Sequence, residues 1–235
     1  MRVLITRPEE DAAALAAELA RRGVEAVSAP LLDIEITPGP ALDLAGVQAV
    51  LLTSANGARA FAARSPERAI KVLAVGDATA RTANALGFSE VASAAGDVDD
   101  LARLAVGSLD TGAGALLHAA GSKLAGDLAG MLDAAGFSYR REVLYRAETA
   151  KVLPAAALAG LRAGTFAGVL FYSPRTGATF RHLAEAAQLQ QFLGTVTAYC
   201  LSDNVAAKIR ALPWAAVRTA ARPEQAAVLE MFEEK

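Results

Sequence analysis

Apolar runs of three or four residues alternate with amphipathic stretches along almost the whole chain. Val3-Leu4-Ile5 reads as a buried strand, Thr6-Arg7-Pro8 as a turn, and the next stretch as a helix with Leu15 and Leu19 one turn apart. Gly23 stops that helix, and Val24 to Val27 reads as the next strand, closed by Pro30. The same grammar returns at Val50-Leu51-Leu52, Val72 to Val75, Ala115-Leu116-Leu117, Val169-Leu170-Phe171 and Val196 to Tyr199. Each run leads through a polar turn into a helical stretch. Strands alternating with helices predict parallel sheets covered on both faces. Leu32 to Thr37 differs, because apolar and polar residues alternate there, and so, less cleanly, does Tyr139 to Tyr145. That period predicts extended strands with one wet face.

The repetition has a register. Val3, Leu15, Leu19 and Gly23 match Leu116, Leu128, Leu132 and Gly136 at an offset of 113 (116 − 3). The block from Val50 matches that from Val169 at 119 (169 − 50), and the block from Val72 resembles that from Val196 at 124 (196 − 72). Three strand-turn-helix units thus occur twice in the same order, which suggests a duplicated domain. Chance similarity between Ala-rich α/β segments is the alternative.

A length of 235 residues suits one large domain or two small ones. With 54% hydrophobic and 20% charged residues, disorder is excluded. A net charge of −2 offers no field for nucleic acid. Cys200 is the single cysteine, so there is no disulfide framework, and with only His118 and His182 there is no zinc-type cluster; no metal is expected. The opening MRVLITRPEE turns charged too early for a signal peptide, and no apolar run approaches the roughly 20 residues a membrane span needs. A cytoplasmic protein with no membrane partner is expected. Neither TSANG nor YSPRTG fits the nucleophile elbow, and there is no Walker or dinucleotide fingerprint. His118 and His182 read as structural or exposed, and Cys200 as a small buried apolar residue.

Every strand is instead followed by small polar residues: Thr6-Arg7, Thr53 to Gly57, Gly76 to Thr79, Ala120 to Lys123, Ser173 to Gly177, and Ser202 to Asn204. In an open α/β sheet these lie at the carboxyl ends of the strands, where ligands bind. Each is expected to open a helix whose first N–H groups attract anions. Capping alone accounts for any one of them. Together, with Arg7, Lys123 and Arg175, they describe a cleft for a ligand with several carboxylates.

These residues resemble the uroporphyrinogen-III synthase family. The carrying elements are L-I-T-R-P at Leu4 to Pro8, Pro30-Leu31, L-T-S-A-N-G at Leu52 to Gly57, A-V-G-D-A-T-A at Ala74 to Ala80, V-L-Y-R at Val143 to Arg146, and F-Y-S-P at Phe171 to Pro174. The resemblance implies an α/β fold of two similar parallel-sheet domains, flavodoxin-like, joined by a two-stranded β-ladder. One domain would take residues 1–33 and 148–235, the other 38–142, with 34–37 and 143–147 as the ladder. It implies a cofactor-free lyase that takes hydroxymethylbilane, expels its hydroxyl as water through an azafulvene, and closes the ring with the last pyrrole inverted through a spiro intermediate. Such chemistry rests on placement more than on a strong nucleophile. Tyr145 is the implied proton donor. Arg7, Thr53, Ser54, Asn56, Gly57, Gly76, Thr79, Lys123, Ser173 and Ser202 are the implied substrate binders. The family's G-P-T-T-like turn is replaced by Cys200 to Asn204, where Asp203 brings a negative charge. No helical stripe argues for a dimer, so a monomer is expected. A non-catalytic tetrapyrrole-binding or regulatory module, and a binding protein for another anionic small molecule such as a sugar phosphate, stay open as alternatives.

Overall fold

The computed structural model describes residues 1–124 and 126–233. The chain begins with β1 (Arg2–Ile5), α1 (Glu9–Ala20), β2 (Glu25–Ser28) and β3 (Leu32–Ile36). It continues with β4 (Val47–Leu52), α2 (Ala55–Arg64), β5 (Lys71–Ala74), α3 (Asp77–Ala85), β6 (Val91–Ser93) and α4 (Val98–Ser108). Then come β7 (Ala115–Gly121), α5 (Leu128–Ala134), β8 (Tyr139–Thr149), α6 (Ala155–Arg162), β9 (Gly168–Phe171) and α7 (Pro174–Ala186). It closes with β10 (Thr197–Cys200), α8 (Asp203–Ile209), β11 (Ala216–Thr219) and α9 (Gln225–Glu230). Among the described residues no helix is long and apolar enough to cross a membrane.

Two compact units result, Met1–Asp33 with Glu148–Lys235, and Ile34–Ala147. The first holds a sheet of order β11-β10-β9-β1-β2, parallel throughout. The second sheet has the order β3-β8-β7-β4-β5-β6. Only its β3–β8 ladder is antiparallel, as the bonds Thr37 N–H to Leu144 O (2.8 Å) and Ala150 N–H to Leu31 O (3.1 Å) require. The chain leaves and re-enters the first unit within these two neighbouring strands. The ladder is therefore the edge of the six-stranded sheet.

Period-two burial explains the short apolar runs. Along β1, Leu4 packs with Phe171, Phe180 and Ala206 on one face, while Val3 and Ile5 pack with Leu15, Leu19 and Val228 on the other. Along β4, Val50 and Leu52 face Phe61 of α2, and Ala49 and Leu51 face Leu101 and Leu132 of α4 and α5. Both faces are dry over Val3 to Ile5 and Ala49 to Leu52, so these runs are apolar at every position, and the polar Arg2 and Gln48 fall outside them.

The duplication is visible in the two sheets. β2-β1-β9-β10-β11 and β8-β7-β4-β5-β6 correspond strand by strand. The pairs Val3↔Gly168 and Leu116↔Ala49 confirm the offsets of 113 and 119 (3 + 113 = 116; 49 + 119 = 168). The third offset needs correction. Val50 pairs with Val72, and its equivalent Val169 pairs with Ala198, so the true offset is 126 (198 − 72). This shift aligns the caps Gly76 and Ser202 and, in the first helical turns, Asp77 and Asp203. It also carries through to β6 and β11, where Val91 and Val217 correspond (217 − 91 = 126).

Candidate active site

Most of the polar residues singled out from the sequence lie at the carboxyl ends of the strands, each unit carrying its own set. In the second unit Ser54 is the N-cap of α2, its Oγ accepting from Gly57 N–H at 3.1 Å. The same Oγ lies 2.7 Å from Tyr145 Oη. Tyr145 reaches it through a break in strand register. Ala120 pairs with Val143, but Gly121 pairs with Tyr145, so β8 carries an extra residue there. Leu144 and Tyr145 consequently both pack on the α2 face. The ring lies on Gly121, where an added Cβ would come within 2.8 Å of it. Asn56 sits in the first turn of the helix and accepts from Arg59 at 2.8 Å.

Thr53 forms a second hydrogen-bonded group. Its Oγ1 is 3.0 Å from His118 Nε2, and His118 Nδ1 is 2.7 Å from Tyr139 Oη. His118 is 1% exposed. Burial, helped by the positive charge of Arg141, lowers its pKa from the usual 6.5 to about 4. His118 thus has two partners, 65 residues before it and 21 after it. Nothing local in the sequence marks them.

That shift makes stability depend on acid. The unfolded chain binds a proton on His118 near pH 6.5, the folded chain only near 4. Between these values the unfolded state holds more protons, so this contribution is full above the unfolded pKa and is lost as pH falls towards 4, by about 3 kcal/mol in all. Amide protection factors across β7, corrected for the intrinsic exchange rate at each pH, should fall between pH 7 and 4 in the wild-type chain and much less in His118→Gln. An equal fall in both would show that His118 is not the group responsible.

Gly76 caps α3 without a side chain, and Thr79 is buried in the first turn behind it. Lys123 differs from expectation. β7 runs on through Gly121, and α5 starts only at Leu128 behind its own cap, Asp127. Lys123 therefore stands exposed in a loop, four residues ahead of that cap.

In the first unit Ser173 caps α7, accepting from Thr176 N–H at 3.1 Å. Ser202 is the N-cap residue of α8, but its side chain makes no capping bond. Arg7 is held by Asp11 and Gln225, both at 2.9 Å, and lies over the Tyr172 ring at 4.6 Å. The Tyr172 hydroxyl is buried with no hydrogen-bond partner among the described residues, and burial raises its pKa against the opposing charge of Arg7. Cys200 is buried and its thiol is pushed up to about 12 by that burial, which agrees with its reading as a small apolar residue.

The helix termini are not equivalent towards anions. The first turns of α1, α3 and α8 carry Glu9, Glu10 and Asp11, then Asp77, then Asp203. Those carboxylates already occupy the positive end of each dipole. The equivalent helices α2 and α7 have serine caps and no acidic residue in the first turn.

The sequence model of the family described as uroporphyrinogen-III synthase HemD matches residues 13–230. The chain belongs to this family. No curated protein sequence matches the chain. The solved structures that share its fold include two at 18% identity. One is the uroporphyrinogen-III synthetase of Helicobacter pylori, with a TM-score of 0.65 and 98% of each chain covered. The other is a mutant uroporphyrinogen III synthase of Thermus thermophilus, with a TM-score of 0.54, covering 99% of this chain and 97% of that one. Membership makes the chain a cyclising, lyase-type enzyme of porphyrin and heme biosynthesis with a small-molecule tetrapyrrole as substrate.

Proposed function

We propose that the chain performs its family's cyclisation on hydroxymethylbilane with Tyr145 as the proton donor. The observation that carries this reading is the placement of the Tyr145 hydroxyl. It is 2.7 Å from the serine that caps α2, a helix whose first turn has no acidic residue. As the phenolic proton moves to the substrate hydroxyl, the C–O bond breaks, water leaves and the azafulvene forms. Charge left on the phenolic oxygen is stabilised by Ser54 and the positive end of α2. The proton lost from the attacked pyrrole carbon at final ring closure returns to the phenolate, so one water is released and nothing else is consumed.

The candidate donors for the substrate's carboxylates are Thr53, Ser54, Asn56, Gly57, Gly76, Thr79 and Lys123 in the second unit, and Arg7, Ser173 and Ser202 in the first. Ser54 and Ser173 each cap a helix whose first turn carries no acidic residue and are proposed as the main anchors. The protein is proposed to act in the cytoplasm, a reading supported by its single, buried cysteine, and as a monomer.

The test is product analysis. The protein is incubated with fresh hydroxymethylbilane, the products are oxidised, and the uroporphyrin isomers are separated. Isomer III in excess of the enzyme-free control is expected. Isomer I alone at the spontaneous rate would overturn the enzyme and leave a binding module on the same fold. Stabilisation by a sugar phosphate and not by uroporphyrin in a thermal-shift assay would then point to a different anion.

A further inference from the structure

The Tyr139–His118–Thr53 row is not required by the fold. Its equivalents in the other sheet are Ala26, Ile5 and Tyr172 (139 − 113 = 26; 118 − 113 = 5; 53 + 119 = 172). At the His118 position that sheet packs the fully buried isoleucine Ile5. A buried imidazole costs free energy unless both nitrogens are bonded, so it is stabilised here only by its two partners.

A neutral imidazole has one donor and one acceptor nitrogen, which leaves the row two polarities. In one, Tyr139 O–H donates to Nδ1, Nε2–H donates to Thr53 Oγ1, and the Thr53 proton is left for an outside acceptor. In the other, Thr53 donates inward and offers only lone pairs. The distances accord with the first: Tyr139 to Nδ1 is 2.7 Å, near the usual length of a bond with an O–H donor, and Nε2 to Thr53 is 3.0 Å, near that of one with an N–H donor. The phenol is also the better acid and the imidazole nitrogen the better base. Thr53 itself is only part-buried, at the end of β4 beside the Ser54 cap.

We propose that His118 is a positioning residue that spends its Nε2–H on Thr53, so that the Thr53 hydroxyl donates outward to a carboxylate of the substrate. This deepens the functional reading above and rests on it. Polarised in one direction, the three bonds strengthen one another at the donor end.

Two measurements decide it. With imidazole-¹⁵N-labelled protein, and His182→Asn to assign the second ring, His118 is expected as the Nε2–H tautomer at neutral pH. The Nδ1–H tautomer would overturn the proposed polarity, and this measurement needs no substrate. In steady-state kinetics, His118→Leu should raise KM for hydroxymethylbilane severalfold with kcat nearly unchanged, because Thr53 keeps its hydroxyl but loses the donor that turns its proton outward; loss of the whole bond to a charged group, about tenfold, is the upper bound. His118→Gln, which keeps an N–H at that reach, should restore most of the loss. In a Thr53→Val background His118→Leu should add nothing. Multiplying effects, or a Gln variant as poor as Leu at an equal melting temperature, would overturn the role of His118 while leaving isomer III formation intact. A wild-type chain yielding only isomer I would remove the substrate assignment, with the tautomer still deciding the polarity.

Discussion

Tyr145→Phe should slow isomer III formation about a hundredfold, the lower end of what a positioned acid contributes. Its melting temperature should change little. The ring packs with Leu144, Leu117 and Phe61, and phenylalanine keeps all of that. The hydroxyl has Ser54 as its partner, and Ser54 retains its bond from Gly57 N–H when the phenol is gone. Rate and stability therefore separate in this variant. Gly121→Ala complements it. The added methyl would stand within 2.8–3.0 Å of the Tyr145 ring tip, so the phenol must swing off Ser54. Isomer III formation should fall to a similar extent although the phenol is still present. Unchanged kcat in both variants would remove Tyr145 from the chemistry and leave it as packing at a strand bulge.

The parts of this arrangement that follow local rules were legible in the sequence, and those that depend on distant residues were not. Leu15 and Leu19, Ser54 with Gly57, and Gly136 announce helix face, cap and stop within a few residues, and all three lie where expected. The outer strands β6 and β11 are three and four residues long and incompletely buried, so their apolar signal is too weak to stand out. Without them the third repeat offers only one strand to align, and the match from Val72 falls two residues out of register. The β7 end misled for another reason. Ala119, Ala120 and Gly121 resemble a turn, yet the partner strand β8 continues beside them and keeps them extended. His118 illustrates the general limit. Its neighbours in the chain are apolar, and its partners come from β4 and β8 through pairing that no short window contains.

Gly57→Ala should destabilise the second unit by about 3 kcal/mol, at the upper end of ordinary overpacking. Gly57 is not there for its backbone angles, since its φ is not positive. It is there because a Cβ would sit 2.6 Å from the carbonyl oxygen of Ala119. That oxygen belongs to β7, which is paired on both sides by β4 and β8, so it cannot yield as a side-chain tip would. The helix must give way instead, and with it the N-terminal turn that carries Ser54. The other copy shows what extra room permits. The equivalent of Gly57 is Thr176 (57 + 119 = 176), buried, with its hydroxyl donating to Ser173 O at 2.9 Å. There the helix stands far enough from its sheet to hold a side chain. Here it lies against β7, and the close approach brings the Ser54 cap to Tyr145 on the next strand. Urea unfolding followed by exchange of the α2 and β7 amides measures the cost. Thr176→Gly serves as the reciprocal control, with an expected loss of about 1 kcal/mol from the flexibility it adds to a helix. If Gly57→Ala proved no worse than this control, the contact between α2 and β7 would not be what sets the Ser54–Tyr145 distance, and the bulge at Gly121 would have to set it alone.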